Sequence, residues 1–92
     1  MLLSKKYEEM ILPFYSADIR LGRELLSMVC AIQSAYNKIK SAEDVLAVEA
    51  LLHMAGSVIM WWPDQAQNDA IKILDEWKND YFMTDGVTND EV

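Results

Sequence analysis

The segment from Val45 to Trp62 constrains the fold of this chain most strongly, because it is apolar on nearly every side. Over these 18 residues only Glu49, His53 and Ser57 are strongly polar. Their spacing of four places them in a single strip of a helix, so the apolar arc covers more than half of the circumference. Such a helix has to be covered by neighbouring helices, by a second protein chain or by lipid.

Lipid is the least favourable of these covers. A membrane-spanning helix needs about 20 apolar residues, and Lys38, Lys40 and Asp64 around the segment mimic the charge bias of membrane proteins. However, Glu49 would lie in the middle of the span, where a carboxylate is costly. We therefore predict a buried helix of a water-soluble protein without a membrane role, located in the cytoplasm.

Start and stop signals predict an all-α fold, a small helical bundle of three long helices plus a short N-terminal helix. The predicted bounds are residues 4–12, 16–40, 41–62 and 64–83. Pro13 ends or kinks the first helix, and Pro63 stops the third at the preceding residue. We expect residues 1–84 to form one domain with the third helix central, and residues 85–92 to form a flexible acidic tail.

Composition excludes several other classes of protein. Three glycines and two prolines are too few for the regular turns of a β-sandwich or barrel. One cysteine cannot form an internal disulfide. A net charge of −7 opposes the phosphate backbone of nucleic acids, so no direct nucleic-acid binding is expected.

The sequence offers little for catalysis or metal binding. Glu49 and His53 share one helix face, but a metal ion needs further ligands and the chain has no second histidine. Cys30 has no histidine or other base near it in the sequence to activate the thiol. We therefore predict no enzyme activity, no metal and no cofactor.

Two features favour binding to another protein. Trp61 lies with Met54 at the edge of the polar strip, and an exposed tryptophan is a favoured interface anchor. Acidic side chains concentrate in the last third of the chain, with eight acids against two lysines from Asp64 onward. The predicted partner-binding residues are Trp61, Met54, Asp69, Asp75, Glu76 and Asp80. Two alternatives remain open: Trp61 caps the end of the bundle, and the acids only confer solubility.

Self-association is the other way to cover the third helix. Its apolar arc is wider than three neighbouring helices of a short chain can bury. We therefore expect a homo-oligomer, at least a dimer, with Ala50, Met54 and Val58 at the interface.

The stretch Ile59-Met60-Trp61-Trp62-Pro63, followed by an amphipathic helix with Trp77, resembles the acidic four-helix immunity proteins of nuclease colicins. Those proteins have an aromatic pair before a proline and a tryptophan in the last helix. The acidic loop that precedes their aromatic pair has no counterpart here. The resemblance covers these few residues and implies a similar architecture alone.

These observations lead to three hypotheses of function. The first is a small acidic interaction module, an inhibitor or adaptor of the phage or mobile-element kind, that binds a basic site on a larger protein. The alternative is a structural or regulatory homo-oligomer without an external target. The third is a helical bundle that encloses a small apolar ligand.

Overall fold

The computed structural model describes residues 3–83, and within this range all regular structure is helical. The helices are α1 (Lys5–Ala17), α2 (Ile19–Asn37), α3 (Ala42–Ile59) and α4 (Asp64–Lys78), and one π-helical turn (Asn79–Met83) continues α4. The predicted all-α class is confirmed. No helix in the described range is long and apolar enough to cross a membrane. The predicted acidic tail, residues 85–92, lies outside the described residues.

Helix α1 continues past Pro13, where the sequence predicted its end or a kink. Proline lacks an N–H group, so the carbonyl of Glu9 loses its helical partner, but Glu9 is exposed and water can replace that donor. Packing offsets the lost bond, since Tyr7, Ile11 and Phe14 form one buried face. Tertiary contacts therefore make α1 longer than the sequence signals indicated.

A single residue, Asp18, separates α1 from α2 and is the N-cap of α2, whose start the sequence predicted at residue 16. Its backbone is extended, and its carboxylate accepts a hydrogen bond from the N–H of Arg20 at 2.9 Å. This bond satisfies one of the free donors at the start of a helix. The chain thus reverses direction within one residue, which brings α2 back against α1.

Gly22 allows these two helices to approach closely. A Cβ atom at this position would lie 2.7 Å from Cγ of Tyr15 and 2.9 Å from its backbone nitrogen. Real Cβ atoms do not approach other atoms so closely. The absence of a side chain at Gly22 is therefore a condition of the contact between α1 and α2.

The buried apolar side chains come from every helix, but unevenly. They are Leu3, Tyr7, Ile11, Phe14, Leu25, Val29, Ile32, Val48, Ala55, Ile59, Trp62, Ala70, Ile73, Leu74 and Trp77. Helix α2 packs against both α1 and α3, whereas α4 makes fewer contacts with α1 and α3. The core accordingly lies along α2.

Aromatic side chains close one end of the core. Trp77 is fully buried and donates its indole N–H to Oε1 of Gln33 at 2.8 Å. The rings of Tyr36, Tyr81 and Phe82 lie around it, and the ring centroids of Trp77 and Tyr81 are 4.8 Å apart. These contacts fasten the π-helical turn and the end of α4 to α2.

The central position predicted for α3 is not confirmed. Only Val48, Ala55 and Ile59 of this helix are buried. Helix α3 packs against α2 on one side and makes limited contact with α4. It ends at Ile59 instead of Trp62, and Met60, Trp61 and Trp62 form the turn that leads to α4. The most apolar helix of the chain therefore lies at the edge of the bundle.

Candidate protein-binding surface

The solvent side of α3 carries a row of exposed apolar side chains. Leu46, Met54 and Val58 are 63%, 60% and 41% exposed, and Trp61 in the following turn is 89% exposed. Ala47 and Ala50 are exposed between them. Spacings of three and four residues place these side chains on one face of a helix. We refer to Leu46, Ala47, Ala50, Met54, Val58 and Trp61 as the α3 strip.

The α3 strip is poor in charge. Helical periodicity adds Glu43 in the first turn and Ser57 near the end of the helix to the same face. The Ser57 hydroxyl donates to the carbonyl of His53 at 3.1 Å, so its hydrogen-bonding capacity is partly used within the helix. Apart from Glu43, the face can enter a protein contact without removing a formal charge from water.

Helix α2 extends this apolar surface. A shallow groove of about 170 Å³ lies between α2 and α3, and every side chain along it is apolar. Met54 and Val58 of the α3 strip line one side, and Met28 and Ala31 line the other. The surface available to a partner is thus wider than one helix.

The two adjacent tryptophans differ in exposure. Trp62 is buried, donates its indole N–H to Oε1 of Glu24 at 3.2 Å, and lies 6.3 Å from Phe14 between ring centroids. Trp61 is almost fully exposed, so it does not cap the end of the bundle by packing on Pro63 or α4. This arrangement leaves the Trp61 ring free for contact with another molecule.

Two of the acids predicted to bind a partner, Glu76 in α4 and Asp80 in the π-helical turn, connect the end of the last helix to α1. The Lys6 ammonium donates to Glu76 at 2.7 Å and to Asp80 at 2.8 Å, and the hydroxyl of the buried Tyr7 donates to Asp80. We call Lys6, Tyr7, Glu76 and Asp80 the Lys6 latch. Lys6 lies 70 positions from Glu76 and 74 positions from Asp80 in the sequence, so no local pattern indicated the latch.

The Lys6 latch changes the ionisation of its members. The hydrogen bond from Lys6, with that from Tyr7, lowers the pKa of Asp80 below its ordinary value. Hydrogen bonds to Asp80 and Glu76 raise the pKa of Lys6. Burial and the bond to Asp80 raise the pKa of Tyr7. All three shifts favour the ionisation state in which the latch is closed at neutral pH.

The other two predicted acids are less constrained. Asp69 accepts from the side-chain amide of Gln65 at 3.1 and 3.2 Å, and Asp75 lies 3.7 Å from the ammonium of Lys78. At about 1.5 Å of rise per residue, Asp80 lies about 24 Å beyond Asp64 along the last helix. The four acids are therefore spread along most of α4 and into the π-helical turn.

A second concave surface lies between α3 and α4. Its volume is about 680 Å³, and Glu49, His53, Ser57 and Gly56 line it from α3. A Cβ atom at Gly56 would have no neighbour within 4 Å, so this glycine does not serve close helix packing. Within the described residues, no group of three or more His, Cys, Asp or Glu side chains could hold a metal ion.

Cys30 is partly buried in α2. Burial raises the pKa of its thiol, and the carboxylate of Glu8 raises it further. Both effects oppose the thiolate form that a nucleophilic cysteine needs.

Comparisons with known proteins identify no relative. No protein-family model matches the chain, and no curated protein or solved structure is significantly similar to it. The resemblance to colicin immunity proteins accordingly gains no support from these comparisons.

Proposed function

We propose that this protein is an interaction module that docks the α3 strip on another protein chain. The observation that carries the proposal is the exposure of Leu46, Met54 and Val58 along one face of α3 and of Trp61 in the turn that follows it. Contiguous apolar patches on soluble proteins are marks of interaction sites. Because the strip is preformed on a helix, binding would order few side chains and little backbone.

The energetic basis is burial of apolar surface around a tryptophan anchor. Apolar surface removed from water contributes about 25 cal/mol per Å², and truncation of a central tryptophan commonly costs about 2 kcal/mol or more. Trp61 offers the largest such side chain on the surface of the protein.

A larger protein with a basic surface is the proposed target, with the chain acting as an inhibitor or adaptor of the phage or mobile-element kind. The net charge of −7 supports attraction to such a surface. Asp69 and Asp75 would steer the partner and set its orientation, because the Lys6 latch already engages Glu76 and Asp80. We place this activity in the cytoplasm, where a lone cysteine suits the reducing conditions.

A structural or regulatory homo-oligomer is the second candidate, and the charge-poor character of the α3 strip favours it. Two acidic proteins repel each other at long range, but they can meet at a face that carries almost no charge. No specific contact favours the third hypothesis, a small-ligand protein, and no catalytic role is part of the proposal.

The test compares two charge insertions at equally exposed apolar positions. Met54 is 60% exposed on the α3 strip, and Leu12 is 59% exposed on α1. Met54→Glu should weaken binding of any partner chain more than 100-fold, because it buries an unpaired carboxylate in an apolar contact. Leu12→Glu should bind as the wild type does. Trp61→Ala should weaken binding about 30-fold, corresponding to about 2 kcal/mol.

Two readouts together decide the matter: molecular mass in solution, and capture of a heterologous partner. If Met54→Glu and Leu12→Glu match the wild type in both, the α3 strip has no binding role. For a heterologous partner, association rates at about 50 and 500 mM salt test steering by Asp69 and Asp75. Replacement of both acids by asparagine should slow association at low salt and leave dissociation nearly unchanged.

A further inference from the structure

We infer that a second copy of this chain occupies the α3 strip, with the two α3 helices antiparallel about a two-fold axis near Ala50 and Met54. This inference rests on the second candidate of the proposed function, the homo-oligomer, because a second copy and a larger basic protein would compete for the same surface. Three observations support it: the spacing of the strip, the distribution of charge along it, and its area.

The spacing fits a helix pair. The midline of the α3 strip follows positions 43, 47, 50, 54 and 57, with alternating steps of four and three residues, and position 61 in the following turn continues it. This is the repeat that keeps the seam of two supercoiled helices in contact. An antiparallel pair centred between Ala50 and Met54 sets Ala50 opposite Met54, and Ala47 opposite Ser57. Each of these pairs contains at least one small side chain, so the two helix axes can approach to about 8 Å.

Charge favours the antiparallel direction. In this arrangement the first turn of α3, with Glu43, lies at the same end of the pair as the turn that carries Trp61 in the other copy, so the indole N–H is within reach of that carboxylate, a contact of the kind that Trp62 makes with Glu24 within the chain. Lys40, just before α3, lies at the same end as Asp64 of the other copy, and both residues are exposed. A parallel pair would instead place the two Glu43 carboxylates side by side. It would also align the helix dipoles unfavourably.

The area is sufficient for a specific dimer. Pairing two α3 strips, with their edges on α2, would remove on the order of 1,000 Å² from water, which is about the lower limit for a specific interface. The net charge of each copy opposes association, but the Lys6 latch and most acids of α4 lie outside the strip. At physiological salt, charges beyond about 8 Å are largely screened. We therefore expect a dimer at micromolar concentrations, with both acidic α4 surfaces on its outside.

The first test is the molecular mass at about 100 µM, by sedimentation equilibrium. The wild type and Leu12→Glu should give twice the chain mass of 10.5 kDa. Met54→Glu should give the chain mass while keeping its helical circular dichroism. A monomeric wild type would overturn the inference. If that monomer also captured a heterologous partner in a Met54-dependent way, the proposed function would survive and only the identity of the partner would be wrong.

The second test determines the direction of the pair by cysteine cross-linking, in a Cys30→Ser background. Ala47 and Ser57 are both small and exposed, so Ala47→Cys and Ser57→Cys are mild changes. A mixture of the two variants should form a disulfide-linked dimer of one of each. Either variant alone should not, because equivalent residues would lie about 15 Å apart along an antiparallel pair. Efficient cross-linking of each variant by itself would overturn the antiparallel arrangement.

A charge exchange gives independent evidence. Lys40→Glu and Asp64→Lys should each weaken the dimer about two- to fivefold, as expected for an exposed ion pair. The double variant should regain most of the lost affinity. Within one chain, Lys40 and Asp64 lie at opposite ends of α3, so recovery has to come from contact between copies. A double variant weaker than both single variants would contradict the proposed pairing.

Discussion

Helices α2 and α3 have nearly the same length, 19 and 18 residues, but they differ in how much of their apolar surface is buried. Helix α2 is amphipathic and lies against both α1 and α3. Its buried face includes Gly22, Leu25, Val29 and Ile32. Helix α3 is more apolar around its circumference, yet it buries three side chains and exposes larger ones on the opposite side.

The difference shows that hydrophobicity of a helix does not by itself determine its burial. Burial depends on how extensively the neighbours pack against a helix: α2 has two extensive contacts, with α1 and α3, whereas α3 makes only a limited contact with α4, which leaves one of its sides open. A side that is open and polar needs no explanation. An open side that is apolar points to contact outside the chain, and this is the basis of both proposals above.

The largest expected effect is the difference in stability between a leucine-to-alanine variant of α2 and one of α3. Leu25→Ala in α2 should lower the free energy of unfolding by about 3 kcal/mol, because Leu25 is fully buried and its removal leaves a cavity. Leu46→Ala in α3 should change it by less than about 0.5 kcal/mol, because Leu46 is 63% exposed. Urea unfolding at low protein concentration measures both. Similar losses of unfolding free energy in the two variants would mean that Leu46 is as well buried as Leu25.

Two glycines sharpen the comparison. Replacing each of them by alanine should change the free energy of unfolding in opposite directions. Gly22→Ala should destabilise the protein by about 1–3 kcal/mol, since the new methyl group meets the side chain and backbone of Tyr15. Gly56→Ala should stabilise it by about 0.5–1 kcal/mol, since the position is open and alanine favours a helix. Thermal unfolding of both variants tests this. A destabilising Gly56→Ala would show that α3 and α4 are packed more closely there.

An effect smaller than those of Leu25→Ala and Gly22→Ala concerns the Lys6 latch, which connects α1 to the end of the last helix. Tyr7→Phe should cost about 1 kcal/mol, because it removes one hydrogen bond to Asp80. Asp80 has a lowered pKa when folded, so its contribution is complete above the unfolded pKa of about 3.9. It is lost as pH falls through the lower folded pKa.

The free energy of unfolding, measured between about pH 5 and pH 2, tests this predicted pH dependence. Asp80→Asn should remove part of the loss of stability on acidification, whereas Asp75→Asn serves as an exposed control on the same helix. An identical pH dependence for the wild type and Asp80→Asn would show that the latch does not contribute to stability.

Local signals in the sequence determined the helical class and the start of α4 at Asp64, and they identified Trp61 as a candidate for exposure. They also identified Ala50, Met54 and Val58 as exposed members of an apolar arc. These features depend on helix periodicity, on capping groups and on the restricted backbone before proline, all of which act over a few residues.

Tertiary packing decided the rest. It carried α1 through Pro13, left one side of α3 open, and joined Lys6 to Glu76 and Asp80 across 70 and 74 positions. Local patterns cannot specify these outcomes, because they depend on which surfaces meet and on how closely the backbones approach. The contact at Gly22 shows the reason: the missing side chain is visible in the sequence, but the ring of Tyr15 that requires its absence comes from another helix.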